Sequence, residues 1–376
     1  MQAERARTGF RRLVAALILT LPAGPALAAC EVGKPAETVA GCTGVIDTLS
    51  AKKKRSREET DTLADAYLKR GTALVKTRDQ KKARADLDTA IRLKPALAQA
   101  WYQRCLLGLI SGDSRGAERD CSAAIKRDDT IADAWHIRGL ARSGLKDYKR
   151  ALADLDKAHE LEPKSASILH NRGLVRQQSG DHPAAIEDFT AAIALRPGYL
   201  RARLSRGLSL RETGALDAAI EDYREVLHRK PKNADAYFGR GKAWQAKDAH
   251  PNAIADFTNA IKYRPKYALA YNARGNSHLQ RKESEKALAD FRMAVKLDPE
   301  AAYARHSLGE ALFVLGDEKA ATATWRETCR LLTRARARSW QQVLKKAGYY
   351  KGRIDGKCGP KTIQAFRYCT KAGCEF

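Results

Sequence analysis

Aromatic residues supply only 7% of this 376-residue chain, and its 26 glycines and 12 prolines are no more than an average protein carries. Collagen-like, low-complexity and all-β compositions are thereby excluded, while 30% charged and 44% hydrophobic residues fit a charge-rich helical protein with ample core material. Acidic residues are in deficit: 44 Asp and Glu face 69 Lys and Arg, a formal net charge of +25. Catalytic signatures are missing too. There is no H-E-x-x-H, no G-x-S-x-G and no phosphate-binding glycine loop with its lysine. Two S-x-x-K matches, at Ser50 and Ser143, lack their S-D-N and K-T-G partners and fall in expected connections. The chain is therefore read as a non-enzyme, with no cofactor.

Long apolar runs are absent beyond residues 13–29, so no other segment is expected to span a bilayer. Arg5, Arg7, Arg11 and Arg12 precede that run, and Pro22 and small residues close it, the three-part layout of a secretory signal. Ala26-Leu27-Ala28 places cleavage after Ala28, leaving 1–28 as the signal peptide. Pro22, Gly24 and Pro25 argue against a retained anchor. Leu27-Ala28-Ala29-Cys30 resembles a bacterial lipobox, in which Cys30 would be lipidated and hold the chain on a membrane. That use of Cys30 would leave an odd number of the eight cysteines, against the even count expected of an exported disulfide protein. A periplasmic or cell-envelope location is the expectation.

What is abundant is periodicity. Pro95, Pro163, Pro197, Pro231, Pro265 and Pro299 share a 34-residue register, with Asp129 in the vacant slot. Repeats started 31 residues before each slot begin at Ala64, Ala98, Ala132, Ala166, Leu200, Ala234, Ala268 and Ala302, eight in all over 64–335. Position 8 is Gly in seven of them, Cys105 being the exception, and position 20 is Ala in all eight. Position 24 is large and apolar, as in Leu87, Leu155, Phe189, Tyr223, Phe257, Phe291 and Trp325, with Cys121 in the second repeat. A proline every 34 residues between two helix-length patterns requires an all-α solenoid. Together these positions resemble the tetratricopeptide repeat (TPR) family. The resemblance implies one helix-turn-helix per repeat, stacked into a superhelix whose first helices line a concave groove.

A second ladder departs from that family. Position 7 is Arg70, Arg104, Arg138, Arg172, Arg206, Arg240 and Arg274, and sixteen residues later stand Asp86, Asp120, Asp154, Asp188, Asp222, Asp256 and Asp290. Both partners vanish together in the eighth repeat, as Leu308 and Thr324, so seven ion pairs between first and second helices are expected. Residues 36–49 match the second-helix pattern and are expected to cap the stack within 29–63. Lys52, Lys53, Lys54, Arg55 and Arg57 mark 50–61 as a solvated insertion loop.

By the resemblance, positions 5, 9 and 12 of the first helices line the groove. They place Tyr102, His136, His170, Gln177, Arg211, Phe238, Lys242, Gln245, Asn272 and Asn276 there, a set suited to a peptide with an acidic segment or free carboxyl end. His136 and His170, at matching positions, are alternatively packing residues. Cys105 and Cys121 occupy positions that face each other within one repeat, so a Cys105–Cys121 disulfide is expected, and Cys30–Cys42 would tie the new N-terminus to the capping helix.

Residues 336–376 break the period and carry ten Lys and Arg against Asp355 and Glu375. Their run 340–362 resembles the peptidoglycan-binding-like module of bacterial wall enzymes, which implies a helix-loop-helix and a contact with peptidoglycan through Tyr349, Tyr350, Asp355, Gly356 and Thr362. The module is truncated, and Cys358 and Cys369 stand where that family has core aromatics. A Cys358–Cys369 bridge with Cys329–Cys374 is expected, Cys358–Cys374 with Cys329–Cys369 being the alternative. No C-x-x-C occurs and no His lies beyond His306, so no metal is expected.

These readings point to an exported scaffold that holds a protein or peptide at the bacterial envelope by contact. An accessory subunit of a wall hydrolase or synthase shares that address. The basic charge alone would suit nucleic acid, but export argues against that partner.

Overall fold

The computed structural model describes Cys30 and residues 34–373; the signal and lipobox readings on 1–29, and Cys374, lie outside the described residues. Nineteen helices and no strands are found among them. The chain divides at Tyr199 and Leu200 into two compact units.

The first unit opens with α1 (Pro35–Ser50), which packs on α2 (Arg57–Lys76). Cys42 and Ile46 of α1 pack against Leu63 and Ala66, as the second-helix pattern of 36–49 leads one to expect. The connection is shorter than expected: Ser56 accepts from the Glu59 backbone N–H, and the Glu59 carboxylate accepts from the Ser56 N–H. That capping box starts the helix at Arg57, so the lysines lie in the turn but 57–61 are helical. Helix pairs follow as α3 (Gln80–Leu93), α4 (Ala98–Ser111) with α5 (Ser114–Arg127), α6 (Ala132–Gly144) with α7 (Tyr148–Leu161), and α8 (Ala166–Gln178) with α9 (His182–Leu195). The second unit contains α10 (Leu200–Glu212) with α11 (Leu216–Arg229), α12 (Ala234–Ala246) with α13 (His250–Tyr263), α14 (Ala268–Gln280) with α15 (Ser284–Leu297), and α16 (Ala302–Val314) with α17 (Glu318–Leu331). Seven first helices begin at the residue the period assigns them.

Two sequence features hold each pair together. The position-8 glycine receives the position-24 side chain: a Cβ on Gly173 would lie 2.7 Å from the Phe189 ring, and one on Gly309 would lie 2.4 Å from the Trp325 indole. In the second repeat the two slots are joined covalently, Cys105–Cys121, with Cα atoms 5.2 Å apart. The arginine ladder forms in all seven repeats as bidentate pairs, for example Arg240 Nε and Nη2 to Asp256 at 2.8 Å each, and Arg206 to Asp222 at 2.7 Å each. Six of the seven aspartates are buried, Asp154 and Asp188 to 2% exposure, and Asp120 is half-buried, so these are largely interior ion pairs rather than surface ones.

The chain ends in α18 (Arg334–Lys346) and α19 (Pro360–Lys371). Their Leu344, Tyr350, Ile363 and Phe366 share one core with Ala321 and Trp325 of the eighth repeat. His306 of α16 presents its ring edge to Phe366 at 4.6 Å. The segment is the helix-loop-helix expected, and it covers the end of the last helix pair. Its disulfide differs from expectation. Cys358 is bonded to Cys329, because the loop after α18 folds back over α17 and brings the two Cα atoms to 5.1 Å. Cys358–Cys369 and Cys329–Cys374 are therefore excluded, as is the alternative pairing; Cys369 is buried in the same core and is itself disulfide-bonded.

Candidate functional site

In the first unit, position-5 side chains of the first helices are buried, and two of them hold the next repeat. Tyr102 is 4% exposed and its hydroxyl donates to Asp133 at 3.3 Å. His136 is fully buried, its Nε2 2.7 Å from the Asn171 amide nitrogen of the following repeat. His170 pairs through Nδ1 with the Tyr199 hydroxyl at 3.3 Å and packs on that ring. Burial, with the nearby His170 ring, pushes the His136 imidazole down to about 4, so it is neutral near pH 7. Burial and the Glu162 carboxylate push Asp133 up to about 6. Tyr102, His136 and His170 are thus packing residues, not groove contacts, and the alternative reading of the two histidines holds. Gln177 is half-buried on α8.

In the second unit the expected groove residues other than Phe238 are less deeply buried. Arg211, Lys242, Gln245, Asn272 and Asn276 are all half-buried on α10, α12 and α14. Lys242 donates to the Gln245 amide oxygen, and the Gln245 nitrogen reaches the Ala273 carbonyl at 3.3 Å and Ser277 Oγ at 3.2 Å. One amide thus ties α12 to α14 while orienting a lysine. Asn272 Oδ1 has no hydrogen-bond partner although it is buried. Phe238 departs from the expected role: its ring lies 5.0 Å from Tyr267 and 5.8 Å from Phe257, so it is core between repeats.

The residues of the C-terminal motif build its turn. Gln341, fully buried, donates to the Tyr350 hydroxyl at 3.1 Å, to Asp355 at 2.9 Å and to the Lys357 carbonyl at 3.1 Å, and accepts from the Gly356 N–H at 2.9 Å. Gly356 sits at φ +73°, and Asp355 also accepts from the Lys357 N–H at 2.8 Å. These hydrogen bonds hold the Asp355 carboxyl below its ordinary range. Tyr350 donates to the Arg353 carbonyl at 3.0 Å, and Thr362 is 1% exposed. Tyr350, Gly356 and Thr362 are buried, Asp355 is half-exposed with its carboxylate held in the turn, and Tyr349 is half-exposed.

Sequence reasoning missed the far reach of the ladder. Arg104 Nη1 also binds Asp88 at 2.8 Å and Arg172 Nη1 binds Asp156 at 2.8 Å, each sixteen residues back in the preceding second helix. Arg138 and Arg274 reach Ser122 and Thr258 in the same way. The signal was a polar residue directly after the large apolar one at position 24. Cys42 Sγ lies 3.8 Å from the Cys30 carbonyl, but no disulfide joins the two, which stand as buried thiols. No group of three or more His, Cys, Asp or Glu among the described residues is placed to hold a metal ion, and no helix among them is long and apolar enough to cross a membrane.

Consecutive helix pairs with a 34-residue register define a helical-repeat protein. Family models for the tetratricopeptide repeat match residues 64–97, 132–165, 170–234, 216–257 and 268–300, together about half of the chain, and the chain belongs to that family. The second repeat, with its cysteine pair, is left unmatched. Among solved structures, a tetratricopeptide repeat protein from Parabacteroides merdae is 21% identical, over 66% of this chain and 98% of that one, with a TM-score of 0.52. The APC/C hetero-tetramer Cut9–Hcn1 is 16% identical, over 82% of this chain and 59% of that one, with a TM-score of 0.54. Likeness at such identity is one of fold. No curated protein matches.

Proposed function

We propose that this protein is an exported scaffold that holds a peptide or protein partner at the bacterial envelope and works by contact, not by chemistry. One observation carries the reading: half-buried Arg211, Lys242 and Asn276 place cationic and amide donors on successive first helices of the second unit. Such donors suit an acidic segment or a free C-terminal carboxylate. Two interior disulfides and the basic, apolar and small-residue order of 1–28 support export. The C-terminal segment is proposed to contact peptidoglycan, and one dedicated wall hydrolase or synthase as partner is a special case of the same reading.

The test is to screen the chain from Ala29 against acidic peptides with free and amidated C-termini, beside the Lys242→Ala and Asn276→Ala variants. Selection of free-carboxyl or acidic peptides, weakened roughly tenfold by Lys242→Ala for one lost charge-assisted bond, supports the reading. Binding unchanged in both variants refutes the assignment of these residues. Recovery of uncleaved protein from the cytoplasm refutes the location.

A further inference from the structure

With Tyr350, Asp355, Gly356 and Thr362 turned inward, the opposite face of the C-terminal segment is open. There a cleft of about 790 Å³ lies between α19 and the loop after α18. Tyr349, Lys351, Lys361, Gln364, Tyr368 and Lys371 line it, and no acidic side chain among the described residues does. The three lysines are exposed, and so is Tyr368, at 53%. Gln364 donates to the Tyr368 hydroxyl at 3.1 Å, which steadies the ring at the rim. The volume falls in the range of small-molecule sites, roughly 300 to 1,000 Å³.

We propose that this cleft is a binding site for an anionic saccharide. Three ammonium groups around one concavity, with no carboxylate among them, select a ligand carrying several negative charges. A simple polyanion would need nothing more. The two tyrosines add flat apolar faces with polar edges, which suit the C–H faces of a sugar ring, and the Gln364 amide and tyrosine hydroxyls suit its hydroxyl groups. The occupant is thus a charged sugar chain rather than phosphate alone or an acidic peptide. The inference rests on the proposed envelope contact of this segment and relocates it from the inward residues to Tyr368 and the lysines.

The experiment is isothermal titration of the chain from Ala29 with tri-galacturonate, galactotriose and tripolyphosphate, in low and moderate salt, with sacculus pelleting alongside. Tri-galacturonate should bind, galactotriose much more weakly, and tripolyphosphate should lose its hold steeply as salt rises. Tyr368→Ala should weaken tri-galacturonate roughly tenfold, the equivalent of about 1.4 kcal/mol, while leaving tripolyphosphate unchanged. The triple change Lys351→Gln, Lys361→Gln and Lys371→Gln should abolish both. All four substituted positions are exposed, so folding is preserved. Tripolyphosphate binding as tightly as tri-galacturonate, or indifference to Tyr368→Ala, overturns the saccharide site. Saccharide binding without sacculus binding keeps the cleft and removes the peptidoglycan contact; sacculus binding indifferent to the lysine changes does the reverse.

Discussion

Position 5 of the first helix is Tyr102, His136 and His170 in the second to fourth repeats, each buried; Tyr102 and His136 are bonded to the following repeat and His170 to Tyr199 at the end of its own. Position 9 there is Leu106, Leu140 and Leu174. In the sixth and seventh repeats of the second unit the same two positions include Lys242, Asn272 and Asn276, all half-buried, although Phe238 packs on Tyr267 and His306 of the eighth repeat is buried. The backbone and the arginine ladder are common to both, so the difference is in the side chains alone. One repeat geometry therefore serves two purposes, set by the side chains it carries. Where position 9 is Lys242 or Asn276, the first helix presents a half-buried polar group.

The ladder breaks this comparison most strongly. Asp154 accepts from Arg138 and also from Arg142, both at 2.8 Å, whereas Asp256 serves Arg240 alone. Removing Asp154 leaves two guanidinium groups without a buried acceptor. Asp154→Ala is expected to cost about 3–5 kcal/mol, the range for breaking an interior ion pair, and Asp256→Ala less. Urea unfolding monitored by circular dichroism decides it; equal losses would mean that Arg142 contributes nothing to the first unit.

Acid sharpens the comparison, because His136 and Asp133, two groups shifted by burial, lie in the first unit. His136, lowered to about 4, refuses a proton that the unfolded chain binds below pH 6.5. Its contribution is complete above 6.5 and is lost as pH falls toward 4. Asp133, raised to about 6, keeps a proton that the unfolded chain releases above its ordinary value of 3.8. Its contribution is complete below 3.8 and is lost as pH rises through 6. The two oppose each other over most of that window, and each amounts to about 3 kcal/mol, since a tenfold change in proton affinity is worth about 1.4 kcal/mol. Asp133→Asn should therefore leave a steep loss of stability between pH 6.5 and 4, and His136→Leu should leave the opposite slope. Identical pH profiles for the two variants would show that neither group titrates as its burial implies.

The repeat register, seven of the eight first-helix starts, the ladder and the Cys105–Cys121 bond were legible, because each rests on a spacing that one helix pair fixes locally. What the groove positions do was not. Position 5 faces the next repeat, and whether His136 is a ligand contact or a buried acceptor depends on finding Asn171 35 residues away, which periodicity does not encode. Phe238 failed for the same reason, since Tyr267 covers it. The Cys329–Cys358 pairing was missed because the break in period sets the loop after α18 apart as a separate module, whereas Trp325 and Phe366 share a core and draw that loop onto α17. Gln341 shows the same limit: nothing in a lone glutamine announces four hydrogen bonds.

The smallest difference between the units lies in their turns. In the first unit Asp79, Asp113, Asp147 and Asp181 cap all four repeat second helices, each side chain accepting a backbone N–H three residues on. In the second unit Ala215, Ala249 and Glu283 make no such bond, and Asp317 does. The residue before each cap sits in the left-handed region, as Gly in four repeats but as Arg78, Lys146, Asp248 and Lys282 in the others. A side chain there is strained, and an uncapped N-terminus leaves a donor to water. Ala249→Asp and Lys282→Gly are each expected to stabilise the second unit by about 1 kcal/mol. The matched change Asp147→Ala should weaken the first unit by a similar amount. Hydrogen exchange at the first turn of α13 reads the cap locally. If Ala249→Asp slowed exchange there without raising global stability, the second unit would be the one that opens independently, and a groove built on it would gain adaptability from the caps it lacks.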